Sequence, residues 1–173
     1  MFLKYTKDFI LKKGLKKSLL DVKKETLESA ITKVGLIVDE TKFKETELLK
    51  QEIVSNGIAT NKIKTLVFSN EKKRNETVLN SVFGYKDLSF KGEFRELSSV
   101  KVFLEQEFDL LINYYDNQEP ILMFVTNNAK SKFKIGFSSV DKRLNHLFIN
   151  IGLEDYRGFT HELFRYLKIL NKI

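Results

Sequence analysis

Near the start of the chain, apolar residues recur at Leu11, Leu15, Leu19 and Val22. Spacings of four, four and three trace one face of a 3.6-residue period and predict an amphipathic helix. Lys13, Lys17 and Lys24 fall opposite that stripe, and Lys12, Lys16 and Lys23 fall towards one flank. Upstream, Phe2, Tyr5 and Phe9 form a second stripe that points elsewhere, with Gly14 near the change of direction. Glycine inside a helix costs about 1 kcal/mol relative to alanine, which predicts a kink or break there.

Beyond residue 30 the pattern becomes strands alternating with helices. Val34 to Asp39 is a short continuous apolar run ending in an acid, as in a strand buried on both faces. Residues 42–56 carry Phe43, Leu48, Leu49 and Ile53 in helical register and stop at Asn56-Gly57. Ile63 to Phe68 reads as a second strand. Residues 69–97, polar and irregular around Phe83, Tyr85, Phe90 and Phe94, read as a long connection holding one short helix or hairpin. Ser98 or Ser99 can cap a helix running to about Glu107. Asp109 to Tyr115 is apolar on both faces and predicts a central strand, after which Pro120 suits the first position of a helix carrying Ile121 to Val125 inward. Phe133, Ile135 and Phe137 alternate with Lys134 and Gly136, and Leu147, Ile149 and Ile151 alternate in a last strand. Tyr156, Phe159, Leu163, Leu167 and Leu170 make the stripe of a closing helix.

This order predicts an α/β fold: a three-layer, mostly parallel, Rossmann-like sheet of about five strands, preceded by a basic N-terminal helix. Residues 1–30 form the basic helical arm and residues 31–173 a single α/β domain.

Charge sharpens the picture of the arm. The chain carries +7, and residues 1–24 hold +6 of it: Lys4, Lys7, Lys12, Lys13, Lys16, Lys17, Lys23 and Lys24 against Asp8 and Asp21. A nearly balanced body with a basic terminal segment favours polyanions, whether RNA, a ribonucleoprotein or an anionic membrane face. Lysine interrupts the segment too often for a transmembrane span or a signal-peptide core, so the expected location is the cytoplasm, free or peripheral to the inner membrane. Two readings of the arm stand together. It is the first helix of the fold, leucines inward and lysines in water, or it is a dedicated docking helix. In a variant of the second reading, Leu11, Leu15, Leu19 and Val22 pack on a protein partner or a second copy.

The absence of cysteine excludes a disulfide scaffold, a thiolate metal site and a cysteine nucleophile. The eight glycines form neither phosphate-cradling fingerprint, and no nucleophile elbow, HExxH or EF-hand loop occurs. No cofactor and no metal site is expected, and catalysis is the less favoured outcome.

Ligands in open α/β sheets bind beyond the carboxyl ends of the strands. Those ends offer Asp39 and Asp116, which could act as paired carboxylates or as helix caps, and the cluster Ser138, Ser139, Asp141, Lys142, Arg143 and His146. The cluster has the groups to hold a phosphate or carboxylate, with Arg143 binding bidentately. It equally has the composition of a polar turn in which Asp141 closes an Asx-turn and His146 is structural. The alternative to macromolecular docking is therefore a small-molecule anion site, or a transferase-like enzyme, on this rim.

The segments Phe108 to Asp116, Phe133 to Ser139, Asp141 to His146 and Glu162 to Ile173 resemble a bacterial protein family of unassigned activity. The resemblance covers the whole chain, including the lysine-rich start, and implies membership without a mechanism. More distantly, the strand from Asp109, the helix after Pro120 and the strand Lys134-Ile135-Gly136-Phe137 are similar to one α/β unit of heptosyltransferase-type glycosyltransferases, in which a second domain carries the sugar donor.

Overall fold

The computed structural model describes residues 2–19, 30–69, 80–96 and 98–173. Strand β1 (Val34–Asp39) is buried along its whole length. Apolar side chains on both faces of a strand need cover from both sides, which a central parallel strand receives. β1 pairs in parallel with β2 (Ile63–Phe68) on one side and β4 (Glu107–Tyr114) on the other. β3 (Asn80–Phe83) adds outside β2, while β5 (Lys130–Phe137) and β6 (Leu147–Ile149) extend the sheet beyond β4. The order is β3-β2-β1-β4-β5-β6, and every pairing is parallel.

The sheet thus has six strands where about five are expected. The additional strand, β3, lies inside the stretch read as a long connection. It is a four-residue edge strand whose apolar residues are Val82 and Phe83 alone, too short to imprint a period. Among the described residues of that stretch, a 3-10 turn at Tyr85–Asp87 and an isolated antiparallel bridge between Leu88 and Phe94 follow β3.

Adjacent residues of β4 show the layering, because successive side chains in a strand point to opposite faces. Tyr114 packs against Phe43 and Phe159, on the side of α2 (Thr46–Ser55) and α5 (Tyr156–Ile169), which pack on one another. Asn113 accepts a hydrogen bond from Thr126 of α4 (Pro120–Asn128) on the other side, where α3 (Ser99–Leu104) also packs.

Local chemistry sets the element ends. Ser98 caps α3 by accepting from the Lys101 amide, Asp155 caps α5 by accepting from Gly158, and Pro120 opens α4. Past the end of α2, Gly57 takes φ +106°, a conformation that costs glycine nothing. Gly35 has a different role. A Cβ there would lie 2.8 Å from Leu111 and 3.1 Å from Phe103 of α3, so the missing side chain lets α3 close on the sheet.

The entrance to β1 is fastened by Asp109. One carboxylate oxygen accepts from the Thr32 amide, the Thr32 hydroxyl and the Lys33 amide, and the other from Lys132 Nζ at 2.7 Å. Burial alone would raise this carboxyl, but the Lys132 ammonium and the Thr32 and Lys33 donors outweigh it and hold it well below the usual carboxylate range.

Helix α1 (Phe2–Ser18) runs unbroken through Gly14, where a Cβ would meet nothing within 4 Å. The helix does not break there, because one half-buried glycine costs propensity but removes no hydrogen bond. α1 packs on α4. Lys4 faces Glu119, just before α4, at 3.6 Å, and Ser18 accepts from Asn127 at the far end, so the two helices run parallel. Leu11, Leu15 and Leu19 are buried in the common core. The described part of the stripe is thus an inward face, as in the first of the two readings. Val22, Lys23 and Lys24 lie outside the described residues.

Candidate functional site

Two regions gather the candidate residues: the outer face of α1 and the carboxyl rim of the sheet.

With its leucines inward, α1 turns the rest of its circumference to solvent. The first two lysines serve the fold. Lys7 Nζ donates to the Tyr85 and Leu88 carbonyls, each at 2.8 Å, and Lys4 pairs with Glu119 and lies over the Tyr85 ring. The Tyr85 hydroxyl lies against the carboxylates of Asp8 and Glu119. Burial pushes that phenol far above its ordinary range, and the hydrogen bonds to Asp8 and Glu119 push it further. The helix is therefore clamped at its N-terminal end by polar contacts and along its middle by leucine.

Lys12, Lys13, Lys16 and Lys17 are different. All four are exposed, and none makes an ion pair or hydrogen bond among the described residues. Tyr5 and Phe9 stand on the same outward side and are 68% and 69% exposed. These two rings are the functional candidates that a reading of charge alone passes over. Their signal was the second apolar stripe, out of phase with the leucines.

At the rim, the buried Asp39 carboxylate accepts from the Thr41 amide and hydroxyl with one oxygen, and from Asn117 Nδ2 at 2.7 Å with the other. It ties the loop after β1 to the loop after β4, and is not one half of a free carboxylate pair with the exposed Asp116. Ser139 donates to the Asp116 carbonyl and Ser138 to Asn150. Asp141 accepts from the Arg143 amide and from both Nε (3.0 Å) and Nη2 (2.7 Å) of its guanidinium. The fork expected to grip a ligand anion is closed on the chain's own carboxylate, and Arg143 holds Asp141 below its usual value. Lys142 is exposed in the same 3-10 turn. His146 stacks on Phe133 and accepts the Lys134 amide proton at Nδ1, which makes it a structural residue of the β5 edge.

Between the loops after β1 and β4, where strand order reverses, lies an open cleft of about 680 Å³ lined by Lys42, Lys44, Glu45, Asp116, Asn117 and Glu154, among others. Two cations face three acids there, so the cleft carries no positive surplus. A second cleft, of about 590 Å³, opens at the amino ends of β1, β4 and β5 around Lys33, Asp109, Lys130, Lys132 and Lys134. Lys134 Nζ donates to the Thr126 carbonyl, one of the carbonyls left over in the last turn of α4, and burial lowers its pKa from 10.5 to about 8. Among the described residues no group of three or more His, Asp or Glu side chains is arranged to hold a metal ion, and no helix is long and apolar enough to cross a membrane.

The chain belongs to DUF6913, a family of unknown function whose model matches residues 7–170. No curated protein and no solved structure matches it, and no similarity to heptosyltransferase-type units is found.

Proposed function

We propose that this chain is a non-enzymatic accessory protein that docks an α/β domain onto an anionic macromolecular surface through the outward face of α1. One arrangement carries the reading. Lys12, Lys13, Lys16 and Lys17 project from a helix that is fixed to the core on its other side, and no carboxylate of the described residues neutralises them. Lysines held on a rigid support lose less entropy on binding than the same lysines on a free tail. Four of the chain's seven surplus positive charges thus sit on this face. The reading goes with a cytoplasmic location, free or at the inner membrane face.

The test substitutes Lys12, Lys13, Lys16 and Lys17 together by glutamine. Deleting the helix would open the core under Leu11 and Leu15 and confuse binding with folding. The parent should bind heparin, RNA or anionic vesicles at about 50 mM salt. If four phosphates of a single strand are neutralised, log K should fall against log salt with a slope of roughly −3, a loss of about 50-fold by about 200 mM. The quadruple variant should lose most of that affinity. Equal binding by both proteins, or no binding of any polyanion by the parent, refutes the reading.

A second reading, a small polar ligand in the cleft beside Lys42 and Asp116, is favoured by the position of that cleft where strand order reverses. Thermal-shift titration with nucleotides, sugar phosphates and acyl phosphates tests it. A shift lost in Lys42→Ala supports the site, and no shift with any of them removes it.

A further inference from the structure

Resting on that docking reading, we propose that the partner is single-stranded nucleic acid, with Tyr5 and Phe9 as stacking platforms and Lys12, Lys13, Lys16 and Lys17 on the phosphates. The exposed rings and the unpaired lysines occupy one face of one helix. Rings and cations therefore share one face, the rings towards its N-terminal end and the lysines after them. A helix that lies on a bilayer separates its apolar and basic faces, so that one sinks into the acyl boundary while the other meets the headgroups. Among the described residues the aliphatic stripe is sealed: Leu11, Leu15 and Leu19 are buried in the core, where α1 packs on α4.

Rings and cations on one face suit a polymer that offers bases and phosphates side by side. Sites for single strands combine a basic track with aromatic side chains, because every base offers a π-face and every phosphate a charge. The axial order fits as well. Tyr5 and Phe9 are one turn apart, about 6 Å along the axis, followed by two pairs of lysines over the next two turns. From residue 5 to residue 17 the rise is about 18 Å, the length of about five stacked nucleotides. A duplex would satisfy the lysines but keeps its bases stacked on each other, closed to the rings.

The experiment is an anisotropy titration of the full chain with labelled single-stranded RNA and DNA of about 12 nucleotides, the corresponding duplexes, and vesicles containing phosphatidylglycerol, all at one salt concentration. Single strands should bind at least about 10-fold more tightly than duplexes. Tyr5→Ala with Phe9→Ala should weaken single-strand binding by at least about 30-fold, since each stacked base contributes about 1–3 kcal/mol. Retention on heparin should fall far less, because the lysines remain. Both rings are exposed and alanine is the better helix former, so the thermal transition should not fall and a folding artefact is excluded by measuring it. Equal affinity for duplexes, tighter binding to vesicles, or an unaltered double variant overturns the inference. In those cases a heparin affinity that depends on the four lysines still supports docking, whereas no polyanion binding at all removes both.

Discussion

Replacing Leu11 by alanine separates a helix that belongs to the fold from an arm that merely precedes it. Leu11 is 1% exposed and sits in the core shared by α1, α4 and the sheet. Truncation there removes the transfer free energy of the lost methyl groups and leaves a cavity in the core. Core leucine-to-alanine changes of this kind cost about 2.7–5 kcal/mol. Against a total stability on the order of 5–15 kcal/mol, that is a large fraction. For a chain of this length each kcal/mol moves Tm by about 2–4 °C, so the variant should melt roughly 5–20 °C lower. Lys12→Ala, one residue further along on the exposed side, should change stability by no more than about 0.5 kcal/mol. The assay is urea unfolding followed by far-ultraviolet circular dichroism and tyrosine fluorescence, with the midpoint shifting at constant slope if α1 unfolds with the body. A cost below about 1 kcal/mol would refute the reasoning. So would a biphasic curve in which a helical fraction melts first, since either would mean that α1 is hinged on the domain and not built into it.

Three further outcomes follow from the same structure. Asp109→Asn should cost about 2–3 kcal/mol in urea melts at neutral pH, the scale of hydrogen bonds to a charged acceptor. The Asp109 carboxyl lies lower in the folded chain than in the unfolded one, so its contribution is present above the ordinary carboxylate value of 3.8 and is lost as pH falls through the folded value; the variant should lack that part of the acid limb. Gly35→Ala should destabilise by about 1–3 kcal/mol through overpacking against Leu111, Phe108 and Phe103, read as a lowered Tm. Lys134 titrates at about 8 in the folded chain against 10.5 ordinarily, so between about pH 8 and 10 the unfolded chain binds more protons and this group's contribution becomes more favourable as pH rises. The stability difference between the parent and Lys134→Met should therefore widen in the parent's favour from pH 7.5 to about 9.5, and a constant difference would exclude the shift.

Much of the architecture was legible from local pattern. The first two strands fall at Val34–Asp39 and Ile63–Phe68, as read, because short runs rich in branched and aromatic residues between turn signals favour strands. Pro120 and Ser98 mark helix starts because their chemistry acts within one turn. β3 was not legible, since four residues at a sheet edge need little hydrophobic content, and its partner β2 supplies the register. The rim residues were found by type but not by role. Asp141 and Arg143 look like an acid beside an anion grip until geometry shows the guanidinium closed on the carboxylate two residues away. Asp39 resembles a free carboxylate until Asn117, 78 residues on, takes its second oxygen.

By itself the sequence determined the class of fold, the positions of most elements, the concentration of charge in residues 1–24 and the out-of-phase stripes of leucine and aromatic residues. These depend on periodicity and local propensity, which act over a few residues. Tertiary structure alone decided that the leucine stripe turns inward onto α4, that Lys4 and Lys7 belong to the fold, and that Lys12, Lys13, Lys16 and Lys17 are left with Tyr5 and Phe9 in solvent. An amphipathic period states that a face will be covered but not by what. Only packing against an element more than a hundred residues away in the chain could settle which side of α1 remained open.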